Sequence, residues 1–162
     1  QGAGWVVFVE SGFKAARAAG AAGSVVTKWG DTGTEIQHLL IEEALEERQD
    51  IDYIVGSAVT AEAAISVLRA RGLTDRIGVL ADYFTHGVYR GIKRGKVIAA
   101  PTDSPVLQGR LAVDQAVRLL EGSLEVVHAG PRILIVDGDN IAAFDRSQSL
   151  APAWFTPTFT VA

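Results

Sequence analysis

The sequence predicts a three-layer α-β-α fold of the mixed α/β class, with a mainly parallel central sheet. Short β-branched apolar runs alternate with longer amphipathic stretches along most of the 162 residues. Glycines, prolines and helix-capping residues stand where these stretches should begin and end. Apolar residues make up 48% of the chain and charged residues 21%, a balance typical of globular proteins rather than disordered ones.

Helices and strands are expected to alternate regularly in the first half of the chain. Thr32 and Glu35 form a capping box that predicts the start of one helix, and Gly72 is placed to end another. Apolar residues in the predicted helices recur at helical spacing. In chain order we expect a helix over 5–18, a strand over 24–28, a helix after Thr32, a strand over 51–56 and a helix over 61–71.

The same alternation continues into the second half of the chain. Ser104 followed by Pro105 predicts an N-cap and the first helical position of a long helix that runs to Glu121. Around this helix we expect a strand over 77–81, a short helix over 87–94, and strands over 97–100, 133–136 and 141–144, the last two joined by a turn at Asp137-Gly138. Residues 151–162 form an aromatic tail interrupted by prolines, which cannot be a core helix.

Composition excludes several classes of function. The 15 lysines and arginines are outnumbered by 19 aspartates and glutamates, so the sequence predicts no nucleic-acid surface, which would need a concentrated basic stripe. No apolar run approaches the ~18–20 residues that a transmembrane helix needs. The absence of cysteine excludes disulfides, thiolate metal sites and cysteine nucleophiles.

The first residue is unusual because the sequence contains no methionine at any position. Translation begins with methionine, so we expect Gln1 to mark a processed, excised or incompletely recorded start.

Candidate binding residues are found in the loops that follow the predicted strands. In open α/β sheets, ligands bind in the crevice at the carboxyl ends of the strands. Aromatic rings combined with carboxylates and hydroxyls suit a small polar or cationic ligand, held by cation–π contacts and a few hydrogen bonds. The alternative, that the tryptophans simply pack at helix starts, stays open. The residues of this kind in these loops are Trp5, Trp29, Asp31, Ser57, Thr60, Asp82, Tyr83, Phe84, His86 and Asp103.

Enzyme and metal motifs are mostly missing. The pair Gly2 and Gly4 lacks the third glycine and the preceding strand of a dinucleotide loop, and there is no P-loop and no GxSxG elbow. The histidines show no zinc spacing, and the loop from Asp137 has Gln148 where a calcium loop needs glutamate. We therefore predict a binding protein with no catalytic residue, metal or cofactor. A hydrolase that uses Asp31, Asp82 or His86 is the alternative from another class.

Several separated blocks resemble the second lobe of type I periplasmic binding proteins, a fold shared with the effector domains of LacI-type regulators. These blocks read SGFKAA, WGDTG, IDYIVGSAVTAEAAI, YFTHGVYRGIKRGKVIAAPTD and QGRLAVDQAVRLLEG, with the late tail around SLAPAWF. Within that family the chain is most similar to the branch that senses trimethylamine N-oxide. The resemblance implies a C-terminal portion of a two-lobed protein: second lobe over 1–100, hinge crossing and a helix that packs on the first lobe over 101–130, and a return to the second lobe over 131–162.

The resemblance also implies a function. It predicts a periplasmic protein that binds trimethylamine N-oxide or a related methylamine and signals to a membrane sensor histidine kinase; the alternative is the solute-binding component of a sugar ABC importer. Trp5 and Tyr83 would form this lobe's share of an aromatic cage and Asp103 would lie beside the ligand, with Ser57 and Thr60 in a strand-end loop and Trp29 as a weaker candidate.

The resemblance further implies an uncovered surface on the predicted long helix. Its apolar residues would be covered by the N-terminal lobe, by a second copy in a homodimer or by a domain swap. These residues are Val106, Val113, Val117 and Leu120.

Overall fold

The computed structural model describes residues 4–20 and 23–158. These residues form two compact units, the first ending at Asp82 and the second beginning at Tyr83. Both units combine helices with strands, which confirms the predicted α/β class. The predicted division into lobe and hinge segments at residues 100 and 130 stays a prediction.

The first unit places two parallel strands beside helices. Tyr53 pairs with Gly78 at one end of the strands and Gly56 with Ala81 at the other, so both strands end at the same edge. Its elements are α1 (Gly4–Ala18), α2 (Thr34–Glu47), β1 (Tyr53–Gly56), α3 (Ala58–Ala70) and β2 (Gly78–Ala81).

Helix α3 is the central packing element of the first unit. It begins at Ala58 because Ser57 is extended and its hydroxyl accepts a hydrogen bond from the Thr60 backbone amide. Its alanine-rich face lets α2 and the two strands approach closely, and the longer side chains Val67 and Leu68 are almost completely buried. Burying these apolar groups supplies the main stabilisation of the unit.

The second unit has an antiparallel strand pair. Ala99 pairs with Asp137 and Thr102 with Leu134. Its elements are α4 (His86–Lys93), β3 (Ala99–Thr102), α5 (Pro105–Leu120), β4 (Leu134–Asp137) and a 3₁₀ turn over Arg146–Gln148. Ser104 is the N-cap of α5 and Pro105 its first residue, as predicted, although the Ser104 side chain makes no capping hydrogen bond.

Two predictions in the first unit are wrong. Residues 24–28 form no strand; Val25 and Val26 are exposed, and no strand of the described ranges pairs with them to satisfy their backbone groups. The predicted capping box at Thr32 does not form, because α2 begins at Thr34 after an N-cap at Gly33. The Thr32 amide instead donates to the Asp31 carboxylate, 2.6 Å away, which holds the chain in a turn before the helix.

The predicted strand over 141–144 is also wrong. Residues 138–143 form a turn, in which the Asp137 carboxylate accepts hydrogen bonds from the backbone amides of Asp139 and Asn140 at 3.0 and 3.1 Å. The Asn140 side chain reaches back to the Ile135 carbonyl, 3.0 Å away. These local bonds compete with a hairpin, and β4 pairs with β3 instead.

Two helices expose apolar side chains. Neither α1 nor α5 has a buried residue, and exposure on α5 reaches 87% at Leu120. Among the described residues, no helix combines the length and apolar character needed to cross a membrane.

We predict that Gly56→Ala destabilises the fold by about 1–3 kcal/mol, the usual cost of overpacking. A Cβ at Gly56 would lie 2.8–2.9 Å from the Thr60 side chain, too close without a shift of β1 or α3. Chemical denaturation measures the change. Gly12→Ala is the matched control, because a Cβ there meets nothing within 4 Å; equal stability of the two variants would contradict the close approach.

Candidate functional site

The edge where β1 and β2 end carries two polar residues side by side in the pairing register. Ser57 follows Gly56 and Asp82 follows Ala81, and Gly56 and Ala81 are paired. The Asp82 amide donates to the Gly56 carbonyl at 2.8 Å, which extends the ladder by one residue. The structure therefore brings together Ser57, a predicted site residue, and Asp82, which the predicted set of ligand-binding residues leaves out.

The predicted site residues Ser57 and Thr60 contact each other directly. The Ser57 hydroxyl accepts from the Thr60 amide at 3.2 Å and lies 3.0 Å from the Thr60 hydroxyl. The Thr60 hydroxyl donates to the side-chain oxygen of Gln37 at 2.7 Å, and the Gln37 nitrogen donates to the Asp31 carbonyl at 2.6 Å. A continuous hydrogen-bonded chain thus joins the loop before α2 to the start of α3.

Asp82 has an unsatisfied carboxylate. Its Oδ1 atom is buried and has no hydrogen-bond partner in the described part of the chain. Burial raises the pKa of Asp82, and a hydrogen bond from the Asp82 backbone amide offsets only part of this rise. Buried carboxylate oxygens are normally paired, so an unpaired one at the ligand-binding edge of an α/β sheet is available to a ligand.

In the second unit, the predicted residues Tyr83 and Asp103 lie near one another. Burial raises the pKa of Tyr83, and the negative charge of Asp103 adds to this rise. Asp103 also has a buried Oδ1 atom without a partner among the described residues, while its backbone carbonyl accepts from Gln108 at 2.8 Å. A half-exposed ring beside a free carboxylate oxygen can bind a cationic group from two directions.

The backbone next to Asp103 has an unusual conformation. Ser104 is the one non-glycine residue with positive φ (55°) in the described ranges, a region that costs ordinary residues of order 1–3 kcal/mol. Its amide donates to the buried Thr102 hydroxyl at 3.2 Å, and that hydroxyl donates to Ser149 at 2.8 Å. This buried network holds the strained residue and so sets where Asp103 lies.

The two predicted tryptophans are both close to half exposed. Trp5 lies on α1 and Trp29 in the loop before α2, with 47% and 44% of their surfaces accessible. In the described ranges, no hydrogen bond or ring contact joins either of them to Ser57 or Thr60. Their place in a ligand site stays a prediction.

The histidine candidate, His86, has a hydrogen-bonding partner, and the described residues contain no cluster of metal-binding side chains. The His86 ring nitrogen Nε2 lies 3.0 Å from the Ala151 carbonyl. No group of three or more histidine, aspartate or glutamate side chains in the described ranges is arranged to hold a metal ion.

Comparison with known proteins gives extensive similarity to periplasmic binding proteins. The chain is 40% identical over 148 residues to the periplasmic protein TorT of Escherichia coli K12, covering 91% of this chain and 43% of TorT. A crystal structure of an ABC transporter solute-binding protein from Bradyrhizobium sp. BTAi1 with bound Bis-Tris superposes with a TM-score of 0.91 at 50% identity, over 98% of this chain and 48% of that one.

A complex of the TorS sensor domain with TorT, crystallised in the presence of trimethylamine N-oxide (TMAO), superposes with a TM-score of 0.85 at 39% identity, over 94% of this chain and 51% of that one. No protein-family model matches. The chain therefore spans about half the length of the relatives it matches. These matches confirm the predicted resemblance to TorT-type periplasmic binding proteins, the fold class and the periplasmic location, and the matched relatives are binding or sensing proteins rather than enzymes.

We predict that Asp82→Asn raises the melting temperature at neutral pH. A raised pKa means that the folded state holds the Asp82 proton more tightly than the unfolded state does, so ionisation of this carboxyl opposes folding. The gain should be complete above the folded pKa and vanish below the unfolded value of about 3.9. Thermal unfolding across this pH range measures it.

The control for this substitution is Asp139→Asn, which alters an exposed carboxylate in the turn after β4. We expect little change in melting temperature there, because this side chain is exposed. A lower melting temperature for Asp82→Asn at neutral pH would show that the Asp82 carboxylate stabilises the fold.

Proposed function

We propose that the protein containing this chain binds TMAO, or a related methylamine, in the periplasm and reports binding to a membrane sensor histidine kinase. The observation that carries the proposal is the 40% identity to TorT, which extends over 148 residues. The superposition on TorT in its complex with the TorS sensor domain supports the same type of partner. Ligand would act by shifting the balance between conformations that differ in their affinity for it.

The chemistry of the second unit supports a methylamine ligand. The methylated nitrogen of TMAO is positively charged, and its methyl groups present that charge as an apolar surface. The ring of Tyr83 would bind this surface through a cation–π contact, and the free Oδ1 atom of Asp103 would attract the same charge.

The first unit supports a separate contribution to ligand binding. Ser57 and Thr60 supply hydroxyl oxygens at the carboxyl end of β1. Trp5 and Trp29 have exposed ring surface available for a methylated nitrogen. We assign ligand contacts to these four residues and no catalytic role, cofactor or metal to any.

Solute import is the second candidate function. The 50% identity to an ABC transporter solute-binding protein with bound Bis-Tris favours it, since Bis-Tris is an amine that carries several hydroxyl groups. A sugar or other polyol would be the solute in that case. The candidate loops contain few of the arginine and asparagine side chains that sugar sites use, which favours the methylamine.

We predict that the full-length protein binds TMAO in isothermal titration calorimetry and that Trp5→Ala and Tyr83→Ala each weaken binding by about 1–2 kcal/mol, the range of a desolvated cation–π contact. Tyr53→Ala is the matched control, because Tyr53 is 63% exposed at the opposite end of β1. Binding of sugars without any response to TMAO would exclude the methylamine assignment. Unchanged affinity in both variants would show that the two rings only pack.

We also propose that the apolar face of α5 is covered by the part of the protein outside this sequence. The relatives are about twice as long as this chain, and Val113, Val117 and Leu120 are 66%, 46% and 87% exposed. Contiguous exposed apolar surface of this kind is characteristic of interfaces.

We predict that the isolated 162-residue chain binds a hydrophobic dye and self-associates in size-exclusion chromatography, whereas the full-length protein does neither. Val113→Lys combined with Val117→Lys should reduce both effects in the isolated chain. A monomeric isolated chain with no dye binding would contradict the proposal.

A further inference from the structure

The side chain of Gln37 fixes the direction of a hydrogen-bonded chain at the end of β1. Gln37 is only 9% exposed, and its amide lies between the Asp31 carbonyl and the Thr60 hydroxyl, at 2.6 and 2.7 Å. The Asp31 carbonyl can only accept a hydrogen bond, so the amide nitrogen must face it. The Gln37 oxygen therefore faces Thr60, and the opposite orientation would place two oxygen atoms in repulsive contact.

This orientation determines where the two hydroxyl protons go. Thr60 has one hydroxyl proton and donates it to the Gln37 oxygen. The Ser57 and Thr60 hydroxyls lie 3.0 Å apart, and because the Thr60 proton is already used, Ser57 must be the donor between them. Ser57 also accepts from the Thr60 amide. Neither hydroxyl then has a proton for a ligand, although each keeps a lone pair.

The neighbouring side chain at this edge is an acceptor as well. Asp82 lies next to Ser57 in the strand register, and its buried Oδ1 atom has no hydrogen-bond partner in the part of the chain that the structure describes. The side chains of Ser57, Thr60 and Asp82 thus offer oxygen lone pairs and negative charge to a ligand, with no hydrogen-bond donor among them while Asp82 is ionised.

We infer that this edge recognises a hydrogen-bond donor of the ligand, a protonated amine or a hydroxyl group, and that Gln37 is the residue that sets this specificity. The inference deepens the proposed function and rests on it for the choice of ligands. It implies that the oxygen of an N-oxide, which only accepts hydrogen bonds, is not bound by the side chains of Ser57, Thr60 and Asp82. Gln37 acts through Thr60 and Ser57 and is a positioning residue.

The test compares two cations of the same charge and similar shape. Protonated trimethylamine carries one N–H donor and tetramethylammonium carries none. Calorimetry on the full-length protein gives the ratio of their dissociation constants. Gln37→Leu removes the acceptor for the Thr60 proton, which frees one hydroxyl proton to point at the ligand. We expect the ratio to shift against protonated trimethylamine by roughly fivefold, the value of one ordinary hydrogen bond.

Two variants separate specificity from stability. Gln37→Glu keeps an acceptor for the Thr60 proton, and its added charge acts equally on both cations, so the wild-type ratio should be retained. It loses the bond to the Asp31 carbonyl, because a carboxylate oxygen cannot donate, so its melting temperature should fall while the ratio does not change. Gln115→Leu removes a surface amide that bonds the Val126 carbonyl at 2.7 Å and should leave the ratio unchanged. An unchanged ratio in Gln37→Leu, with only a lower melting temperature, would reduce Gln37 to a structural role and overturn the inference.

Neutron diffraction of the full-length protein tests the proton direction without any ligand. We expect one deuteron on the line from Ser57 to Thr60 and one on the line from Thr60 to Gln37. A Ser57 deuteron directed away from Thr60 overturns the inference whichever ligand binds. Failure to bind either cation would instead overturn the methylamine assignment, and the deuteron positions would still decide the direction of the chain.

Discussion

The close approach of Gly56 to Thr60 is the constraint on which the polar edge of the first unit depends. Only a residue without a side chain lets the end of β1 pass within contact distance of the first turn of α3. That approach puts Ser57 where its hydroxyl can cap α3, and it leaves the Thr60 hydroxyl directed at Gln37. The parallel register then adds Asp82 to the same edge. A larger residue at position 56 would disturb these three features together.

In the second unit, a strained backbone residue next to Asp103, and not a glycine, determines where the polar side chain lies. Asp103 and Ser104 together join β3 to α5, and Ser104 lies in the left-handed region. This conformation persists because the buried Thr102 hydroxyl accepts from the Ser104 amide and is itself tied to Ser149. Strained residues of this kind concentrate at ligand sites, where neighbouring interactions hold them. The strained residue here directly follows Asp103, whose buried Oδ1 atom has no hydrogen-bond partner among the described residues.

Local sequence signals predicted the helices well and the polar network poorly. The helical spacing of residues 5–18 and the Ser104-Pro105 pair were sufficient, because helix formation and capping depend on residues close in sequence. The strand predicted over 24–28 failed because a strand also needs a partner, which local pattern does not supply. Gln37 was missed for the same reason, since its partner Thr60 is 23 residues away and the position inside α2 resembles an ordinary helix site. One signal was present: a glutamine in the otherwise apolar, core-facing row that contains Ile41.

The buried, unsatisfied carboxylate oxygens would favour binding of the proposed methylated ligand, because little hydration is lost when it binds. A carboxylate oxygen that folding has already removed from water, as at Asp82 and at Asp103, gives up little hydration when a ligand arrives. The attraction to a cationic group is then opposed mainly by the ligand's own desolvation, which is small for methylated ammonium because its charge is spread over apolar surface. Removing the Asp82 carboxylate from water instead destabilises the unliganded protein, as the raised pKa of Asp82 indicates. Stability lost in this way becomes a difference in free energy between the free and bound forms, which the proposed response to ligand would require.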